Sequence, residues 1–175
     1  MMRPLTLVLL SLVLVTGCSV SATAQYRDTG KLNTWTTAEV SRLNYEVGGL
    51  RAVRAARNDG FDRVVFEFAD GVPSFSLSYA RSLGYNRGKK APAKMSGTVF
   101  MELTLVALYE EKNRNAIYDA YPAGELGLPM LREIKVTKFD FYRAEAVFAF
   151  GLQARHEFRV QTLTNPARLV VDIKH

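Results

Sequence analysis

The sequence predicts an all-β domain, either a sandwich or a flattened barrel of about eight strands, and three observations support this fold class. Apolar and polar residues alternate along several short segments, as they do in a strand with one buried face. Glycine, proline, asparagine and aspartate separate these segments at short intervals. No long stretch has the convincing apolar spacing of an amphipathic helix. Layered strands around one core are therefore expected.

The N-terminal residues have the features of an export signal. Arg3 gives a positive start, and the apolar run Leu5–Val15 is shorter than the roughly 20 residues that cross a bilayer as a helix. Val15-Thr16-Gly17-Cys18 resembles a lipobox, in which the cysteine receives a lipid and begins the mature chain. The alternative is ordinary secretion, with cleavage after Ala24. Both alternatives predict export, and we favour lipidation of Cys18, the only cysteine.

The chain is thus divided into a lipoprotein-type signal peptide (residues 1–17), a flexible tether (18–33) and one domain (34–175). Removal of the signal leaves 175 − 17 = 158 residues, which suits a single core. With one cysteine there is no disulfide framework, so the fold depends on that core.

The formal net charge is +6. The signal contains one charged residue, Arg3, so the exported chain keeps 22 basic and 17 acidic residues and a net charge near +5. This favours anionic envelope polymers or lipid head groups over nucleic acid as partners. A basic surface that is only solvated explains the charge as well, and we favour that interpretation.

The beginning of the domain is ambiguous. Thr37 could cap a short helix, whereas the spacing of Leu43, Tyr45 and Val47 is that of a strand. Gly48-Gly49 is expected to end this element.

Three strands are predicted within the next thirty residues. Leu50–Arg57 alternates with an irregular phase, and Asn58-Asp59-Gly60 is a strong hairpin signal. Phe61–Ala69 is the clearest strand, and after Asp70–Pro73 a third strand alternates serine with apolar residues. The tight turns predict an antiparallel meander. The residues expected on the buried face of the second strand are Val64, Phe66 and Phe68.

The middle of the chain contains longer segments. Strands are predicted over Met95–Tyr109, Leu131–Phe139 and Tyr142–Leu152, with an irregular stretch over Glu110–Leu128. In the second of these strands, strict alternation places on one face Leu131, Glu133, Lys135 and Thr137. It places on the other face Ile134, Val136 and Lys138.

The last segment, Arg155–His175, predicts two strands around a turn at Thr164-Asn165-Pro166. Pro166 fits the turn because it has no N–H for a ladder hydrogen bond. In the second strand one face is expected to carry Leu169, Val171 and Ile173. The other face is expected to carry Arg168, Val170 and Asp172. An apolar face must be buried, so the rest of the domain has to supply a sheet for this pair.

Two strands share one pattern, R-V-V-F-E-F and R-L-V-V-D-I, with a basic residue four positions before an acidic one. Positions four apart lie on the same face of a strand. If these strands are neighbours, Arg63 meets Asp172. Arg168 then meets Glu67. The four residues are a candidate charged binding strip, but ion pairs that only stabilise the sheet explain them as well, and we favour that interpretation.

Residues 81–94 form the best candidate for a ligand-binding patch, since glycine, proline and basic residues gather there beside tyrosines. Aromatic rings beside cations suit sugar rings and anionic groups. A solvated hairpin tip explains the same composition equally well. The candidate ligand-binding residues are Tyr79, Arg81, Tyr85, Arg87, Lys89, Lys90 and Lys94.

Two parts of the chain carry a family resemblance. The first is L-R-A-V-R and G-F-D-R-V-V-F-E-F, followed by Pro73 and Phe75, and the second is Phe158–Val160 with Asn165–Ile173. They resemble the start and the closing hairpin of AMIN and AMIN-like domains, which are non-catalytic modules of bacterial cell-envelope proteins. The resemblance covers most of the chain from about Leu50. It implies an antiparallel β-sandwich of two sheets and a role in localisation at the cell wall.

No motif for catalysis is present. The histidines are His156 and His175, and no His or Cys spacing would build a zinc site. The serines of the third strand lack a nucleophile elbow. A glycosidase needs only two carboxylates, and the number of acidic residues does not exclude such a pair. The candidates would be Glu67, Glu102, Asp140 and Glu145. We predict no enzymatic activity, no catalytic residue, no metal and no cofactor.

Two functional hypotheses follow. The leading one is a lipid-anchored envelope module that binds peptidoglycan or an envelope protein and does not bind nucleic acid. The alternative is a small exported hydrolase or ligand carrier that uses a cleft of the sandwich.

Overall fold

The structure, a computed structural model, describes residues 28–83, 94–109, 122 and 124–175. Within these residues the chain forms ten strands and no helix. No helix in this part of the chain is therefore long and apolar enough to cross a bilayer. The strands are β1 (Val40–Arg42), β2 (Gly48–Asn58), β3 (Phe61–Phe68), β4 (Ser74–Ala80), β5 (Val99–Val106), β6 (Leu108–Tyr109), β7 (Leu131–Asp140), β8 (Glu145–Leu152), β9 (Phe158–Thr164) and β10 (Ala167–Lys174).

The strands form two five-stranded sheets with a shared core. The first sheet has the order β1-β4-β5-β8-β7, and the second sheet has the order β6-β2-β3-β10-β9. Neighbouring strands are antiparallel, apart from the two-residue strand β6, which runs parallel to β2. The prediction of an antiparallel β-sandwich is confirmed. The short strand β1 was not predicted because three residues give no readable alternation.

The core is centred on aromatic residues that reach across from both sheets. Phe66 of β3 is fully buried, as are Val64 and Phe68 on the same face. The Phe66 ring lies edge-on to Phe148 at 5.1 Å between centroids and stacks on Phe150 at 6.1 Å, and both partners belong to β8 of the first sheet. The predicted buried face of β3 is therefore confirmed.

The third predicted strand does not continue the predicted meander. β2 and β3 pair in the second sheet, but β4 pairs with β1 and β5 in the first sheet. Asp70–Pro73 is thus a crossing between sheets, and the buried Val72 packs in the core on the way. The meander prediction is therefore wrong. A short turn within one sheet and a short crossing to the other sheet have the same length and similar residues, so the sequence does not distinguish them.

The strand predicted over Met95–Tyr109 is two strands in different sheets. β5 ends at Val106, and Ala107 has a left-handed backbone with φ of 65°. The chain then pairs with β2 of the second sheet, where Gly48 N–H donates to the Ala107 carbonyl at 3.1 Å. The prediction of one continuous strand is wrong because alanine gives no warning of a positive φ.

Strict alternation also fails in β7. Its pairing with β8 shifts between Leu131 and Glu133 and again between Val136 and Lys138. Each bulge adds a residue and changes the face of those that follow. Leu131 is consequently buried in the same core as Ile134 and Val136, which corrects its predicted position on the opposite face. A similar shift between residues 50 and 52 explains the irregular phase of β2.

The N-terminal part of the described chain lies against the sandwich. Thr29 and Ser41 exchange backbone hydrogen bonds of 3.1 Å, and Asn33 N–H donates to the Val160 carbonyl at 2.7 Å. Residues 28–33, which the sequence places in the tether, therefore contact the domain. The signal peptide, the rest of the tether and Cys18 lie outside the described residues. Of the ambiguous residues after Thr37, only Val40–Arg42 form a strand.

The closing hairpin places β10 in the interior of the second sheet, between β3 and β9. Leu169, Val171 and Ile173 are buried in the core as predicted. Val170 and Asp172, on the outer face, are also nearly inaccessible to solvent. Neighbouring side chains on the outer face therefore shield this strand from solvent. Those around Asp172 form the candidate site.

Candidate functional site

A buried aspartate on the outer face of the second sheet holds two arginines. The strand register places Arg63 of β3 opposite Asp172 of β10, and Asp172 opposite Arg159 of β9. Arg63 donates from Nε to Asp172 Oδ1 at 2.6 Å and from Nη2 to Oδ2 at 3.0 Å. Arg159 donates to Oδ2 from Nη2 at 2.6 Å and from Nε at 3.1 Å. We call Arg63 and Arg159 the arginine pair.

The environment of Asp172 favours its ionised form. Burial is the largest single influence and raises the pKa of a carboxyl group, but the hydrogen bonds and charges of Arg63 and Arg159 together outweigh it. The pKa of Asp172 is therefore lowered. Gln161 adds a further hydrogen bond from Nε2 to Oδ2 at 3.1 Å. The hydrogen bond to Asp172 likewise raises the pKa of Arg63, despite partial burial.

Two aromatic rings line the arginine pair. The Arg159 guanidinium carbon lies 4.6 Å from the centroid of Trp35, and that of Arg63 lies 5.1 Å from the centroid of Phe61. Trp35 and Phe61 meet edge to face at 6.2 Å. Trp35 is held in place by its neighbour Thr36, which exchanges two backbone hydrogen bonds with Phe158 of β9. The only tryptophan of the chain thus packs beside Arg159, and Lys174 Nζ lies 5.6 Å from its ring centroid.

This arrangement has an excess of positive charge and spare hydrogen-bond donors. Two guanidinium groups share a single carboxylate, and each has five N–H donors of which Asp172 accepts only some. The side chains of Arg63 and Arg159 are 36% and 22% exposed. The fork of a guanidinium matches carboxylate and phosphate groups. The site can therefore bind an anionic group next to an aromatic ring.

Of the two ion pairs expected within the predicted charged strip, the structure shows one. Arg63 and Asp172 form the expected ion pair. Arg168 does lie opposite Glu67 in the register, but Glu67 pairs with Arg54 of β2, and Arg168 donates to the Pro166 carbonyl at 3.3 Å. The expected Arg168–Glu67 ion pair is therefore wrong, because Arg54 on the other neighbouring strand reaches the same carboxylate.

Arg159, Trp35 and Phe61 were not predicted as site residues. The sequence did contain a signal for Arg159. Thr164 and Ala167 pair across the turn of the closing hairpin, so residues five positions further along each strand are also opposite each other. Those residues are Arg159 and Asp172. Trp35 gave no such signal, since its position depends on contacts far away in the sequence.

The predicted loop patch is described only in part. Tyr85, Arg87, Lys89 and Lys90 lie outside the described residues. Arg81 and Lys94 are exposed. Tyr79 is engaged in packing: its hydroxyl donates to the His156 carbonyl and accepts from the His156 N–H, and Arg155 lies 4.1 Å from its ring centroid. Burial raises the pKa of Tyr79. One ring face and the hydroxyl of Tyr79 are thus already occupied.

The carboxylates left open for catalysis form ion pairs in several cases. Glu67 pairs with Arg54, Glu145 with Lys138 at 2.5 Å, and Asp140 with Arg143 at 3.8 Å. In the described part of the chain no three His, Cys, Asp or Glu side chains gather as a metal site.

A second buried aspartate, Asp62, joins separate parts of the fold. Its Oδ2 accepts the N–H groups of Met130 and Leu131 at 2.7 and 2.8 Å, and its Oδ1 lies 2.9 Å from His175 Nε2. These contacts connect the start of β7 and the end of β10 to β3. Because one of its oxygens holds two backbone N–H groups and the other holds the C-terminal His175 side chain, Asp62 has a structural role.

Comparison with known proteins gives one match. A family model described as AMIN-like domain matches residues 48–175. No curated protein and no solved structure matches the chain. The matched residues include Arg63, Arg159 and Asp172 but not Trp35.

Proposed function

The chain belongs to the AMIN-like domain family, and on that premise we propose that it is a non-catalytic, lipid-anchored module that binds peptidoglycan. The family implies a location in the cell envelope. The observation that supports peptidoglycan as the ligand is the arginine pair. Peptidoglycan presents carboxylates on its peptides and sugar rings along its glycan strands. Guanidinium groups bind carboxylates, and aromatic ring faces pack against sugar rings.

The position of the arginine pair supports this proposal further. Three strands of one sheet fix its two guanidinium groups, and Asp172 restrains both of them before any ligand arrives. A preorganised site binds at a lower entropic cost than one built from free side chains. The loop residues 81–94 would add further positive charge as a second contact, as proposed from the sequence.

Replacing Arg159 by Gln is expected to lower retention on purified peptidoglycan sacculi several-fold. The change removes one of two guanidinium donors but leaves Arg63 to neutralise Asp172, so the fold should remain. Retention is measured by co-sedimentation in low salt and again in molar salt. In molar salt the electrostatic screening length falls to about 3 Å, so the parent protein should bind sacculi more weakly than in low salt.

Arg143→Gln is the matched control for this measurement. Arg143 lies at the β7–β8 turn, its side chain is 75% exposed, and among the described residues its ion pair is with Asp140. This variant should be retained like the parent protein. Equal retention of the Arg159 and Arg143 variants, with both folded by circular dichroism, would show that the arginine pair does not bind the wall.

The loop is tested by the triple change Arg87→Ser, Lys89→Ser and Lys90→Ser. If the loop contacts the ligand, retention on sacculi should fall several-fold. The melting temperature should stay nearly constant, because the sequence predicts a solvated loop here and solvated charges contribute little to stability. Unchanged retention would mean that the loop is only a solvated tip. Comparison with Arg159→Gln separates the two surfaces.

The lipid anchor is tested by Cys18→Ser. If Cys18 carries a lipid, the parent protein partitions into the detergent phase, and the variant accumulates as a soluble or uncleaved form. Mass spectrometry of the mature N-terminus provides the second measurement. A mature chain that begins at Gln25 would refute lipidation and support cleavage after Ala24.

A further inference from the structure

Part of the β9 edge has no backbone partner within the described residues. β9 is the outer strand of the second sheet. Residues 33–36 cover its first half: Phe158 exchanges hydrogen bonds of 2.8 and 2.9 Å with Thr36, and the Val160 carbonyl accepts from Asn33 at 2.7 Å. Backbone groups of alternate residues point to the same side of an antiparallel strand. Those of Thr162 and Thr164 therefore face this side too, and no backbone hydrogen bond from the described residues reaches them.

The covering segment leaves β9 at a defined residue. Asn33 has a left-handed backbone with φ of 56°, and the chain before it runs to β1 of the other sheet, where Thr29 pairs with Ser41. The second half of β9 is consequently left beside a gap between the two sheets.

A groove of about 420 Å³ occupies this gap, and we call it the edge groove. Its walls are Leu43–Glu46, which follows β1, and Thr162–Thr164 of β9, and Asp70–Val72 closes one end. Its volume lies within the range of roughly 300–1,000 Å³ that is typical of ligand sites. Leu43, Tyr45 and Leu163 at the groove are 43%, 92% and 39% exposed. The groove thus offers apolar surface next to open backbone groups.

The wall opposite β9 is held firmly. Asn44 N–H donates to Ser74 Oγ at 2.9 Å, the Ser74 hydroxyl donates to the Asn44 carbonyl at 2.6 Å, and Asn44 Nδ2 donates to the Val72 carbonyl at 3.0 Å. Gly71 permits Glu46 to pack against it, because a Cβ at Gly71 would collide with the Glu46 side chain. The edge groove is therefore formed in advance of any ligand.

The charge of the edge groove is opposite to that of the whole chain. Glu46 and Asp70 line it, in a protein with a formal net charge of +6. No cation among the described residues forms an ion pair with Glu46. A ligand with a positive side chain would complete this site. A second copy of the chain would instead bring another Glu46 carboxylate to the same place.

We infer that the edge groove binds an extended peptide of a partner protein that carries a basic side chain between apolar ones. The peptide adds as a strand to the open half of β9, and its backbone pairs with Thr162 and Thr164. Its apolar side chains contact Leu43, Tyr45 and Leu163, and its cation pairs with Glu46. This surface contains neither member of the arginine pair, so it would serve a protein partner beside the wall-binding site.

The test uses nuclear magnetic resonance of the labelled protein with a synthetic, end-capped peptide of alternating Val and Lys, seven residues long. We expect amide shifts at residues 161–164 and 43–46. A peptide with Glu in place of Lys should bind more weakly. A peptide that is N-methylated at two consecutive central residues should lose most of its affinity, because one of the two blocked N–H groups must face β9.

Thr162→Pro is the matching change in the protein. It removes a donor that points away from β10, a position where an edge strand accepts proline. Affinity for the peptide should fall about ten-fold or more, which corresponds to the loss of one or two backbone hydrogen bonds. Glu46→Gln should weaken binding roughly two- to five-fold, as expected for an exposed ion pair. Retention on sacculi should not change in either variant.

Two results would overturn this inference. One is equal affinity for the N-methylated and unmodified peptides, which needs no protein variant and so holds even if Thr162→Pro fails to fold. The other is a dimer of the parent protein in analytical ultracentrifugation that Thr162→Pro converts into a monomer, because a second copy would then occupy the edge.

Discussion

Replacing Phe66 by Ala is expected to lower the free energy of unfolding by about 3–5 kcal/mol. Phe66 is fully buried, and its ring contacts Phe148 and Phe150 of the opposite sheet. The substitution removes the apolar area of the ring, leaves a cavity between the sheets and abolishes both aromatic contacts. The two sheets can close such a cavity only by moving together, which the remaining core side chains resist.

Denaturant unfolding, followed by circular dichroism, measures this effect. Phe141→Ala is a matched control, because Phe141 lies in the β7–β8 turn and is 58% exposed. That variant should lose less than about 1 kcal/mol. A Phe66 variant as stable as the parent protein would show that β3 does not direct this face to the core.

Replacing Asp172 by Asn is expected to lower the free energy of unfolding at neutral pH by about 2–4 kcal/mol. Asp172 is fully buried and is the carboxylate that Arg63 and Arg159 share. An amide of similar shape has no charge, and its NH₂ group would face guanidinium donors. Partial exposure of both arginines lets water compensate in part, so the loss should be smaller than for two buried cations.

The dependence of this effect on pH identifies its cause. The pKa of Asp172 is lowered in the folded state from an ordinary value of 3.8. A carboxyl with a lowered pKa stabilises the fold fully above its unfolded pKa, and this contribution is lost as the pH falls through the folded pKa. The stability difference between parent and Asn variant should therefore be constant near neutral pH and shrink below about pH 4. A difference that stays constant down to pH 2 would exclude a role of the charge.

Asp140→Asn is the control for Asp172. Asp140 is 28% exposed, and its partner Arg143 is 75% exposed at a distance of 3.8 Å. Exposed ion pairs contribute about 0–1 kcal/mol, so this variant should remain close to the parent protein at every pH. The structural importance of Asp172 is also the reason why the binding test changes Arg159 and leaves Asp172 in place.

The arginine pair illustrates how far the sequence leads to a site. The matched patterns of β3 and β10 predict the contact of Arg63 with Asp172, because four-residue spacing fixes the face and antiparallel pairing fixes the partner. Pairing alone does not decide which cation reaches a carboxylate. Glu67 has Arg168 opposite it on one side, yet it pairs with Arg54 on the other.

The edge groove could not be predicted from the local pattern of the sequence. Leu43 and Tyr45 have the spacing of a strand, but their exposure follows from the path of residues 28–36 between the two sheets. That path covers only half of β9. Which half of an edge strand stays open is therefore a property of the folded chain.

By itself, the sequence determined the all-β class, the family, the closing hairpin and the buried faces of β3 and β10. These follow from local alternation and turn residues, which act over a few positions. The tertiary structure alone decided that β4 crosses to the other sheet, that Leu131 enters the core, and that Trp35 lies over Arg159. A crossing, a bulge and a long-range contact change the position of a segment without changing its local pattern, because the free energy that selects them comes from packing between distant residues.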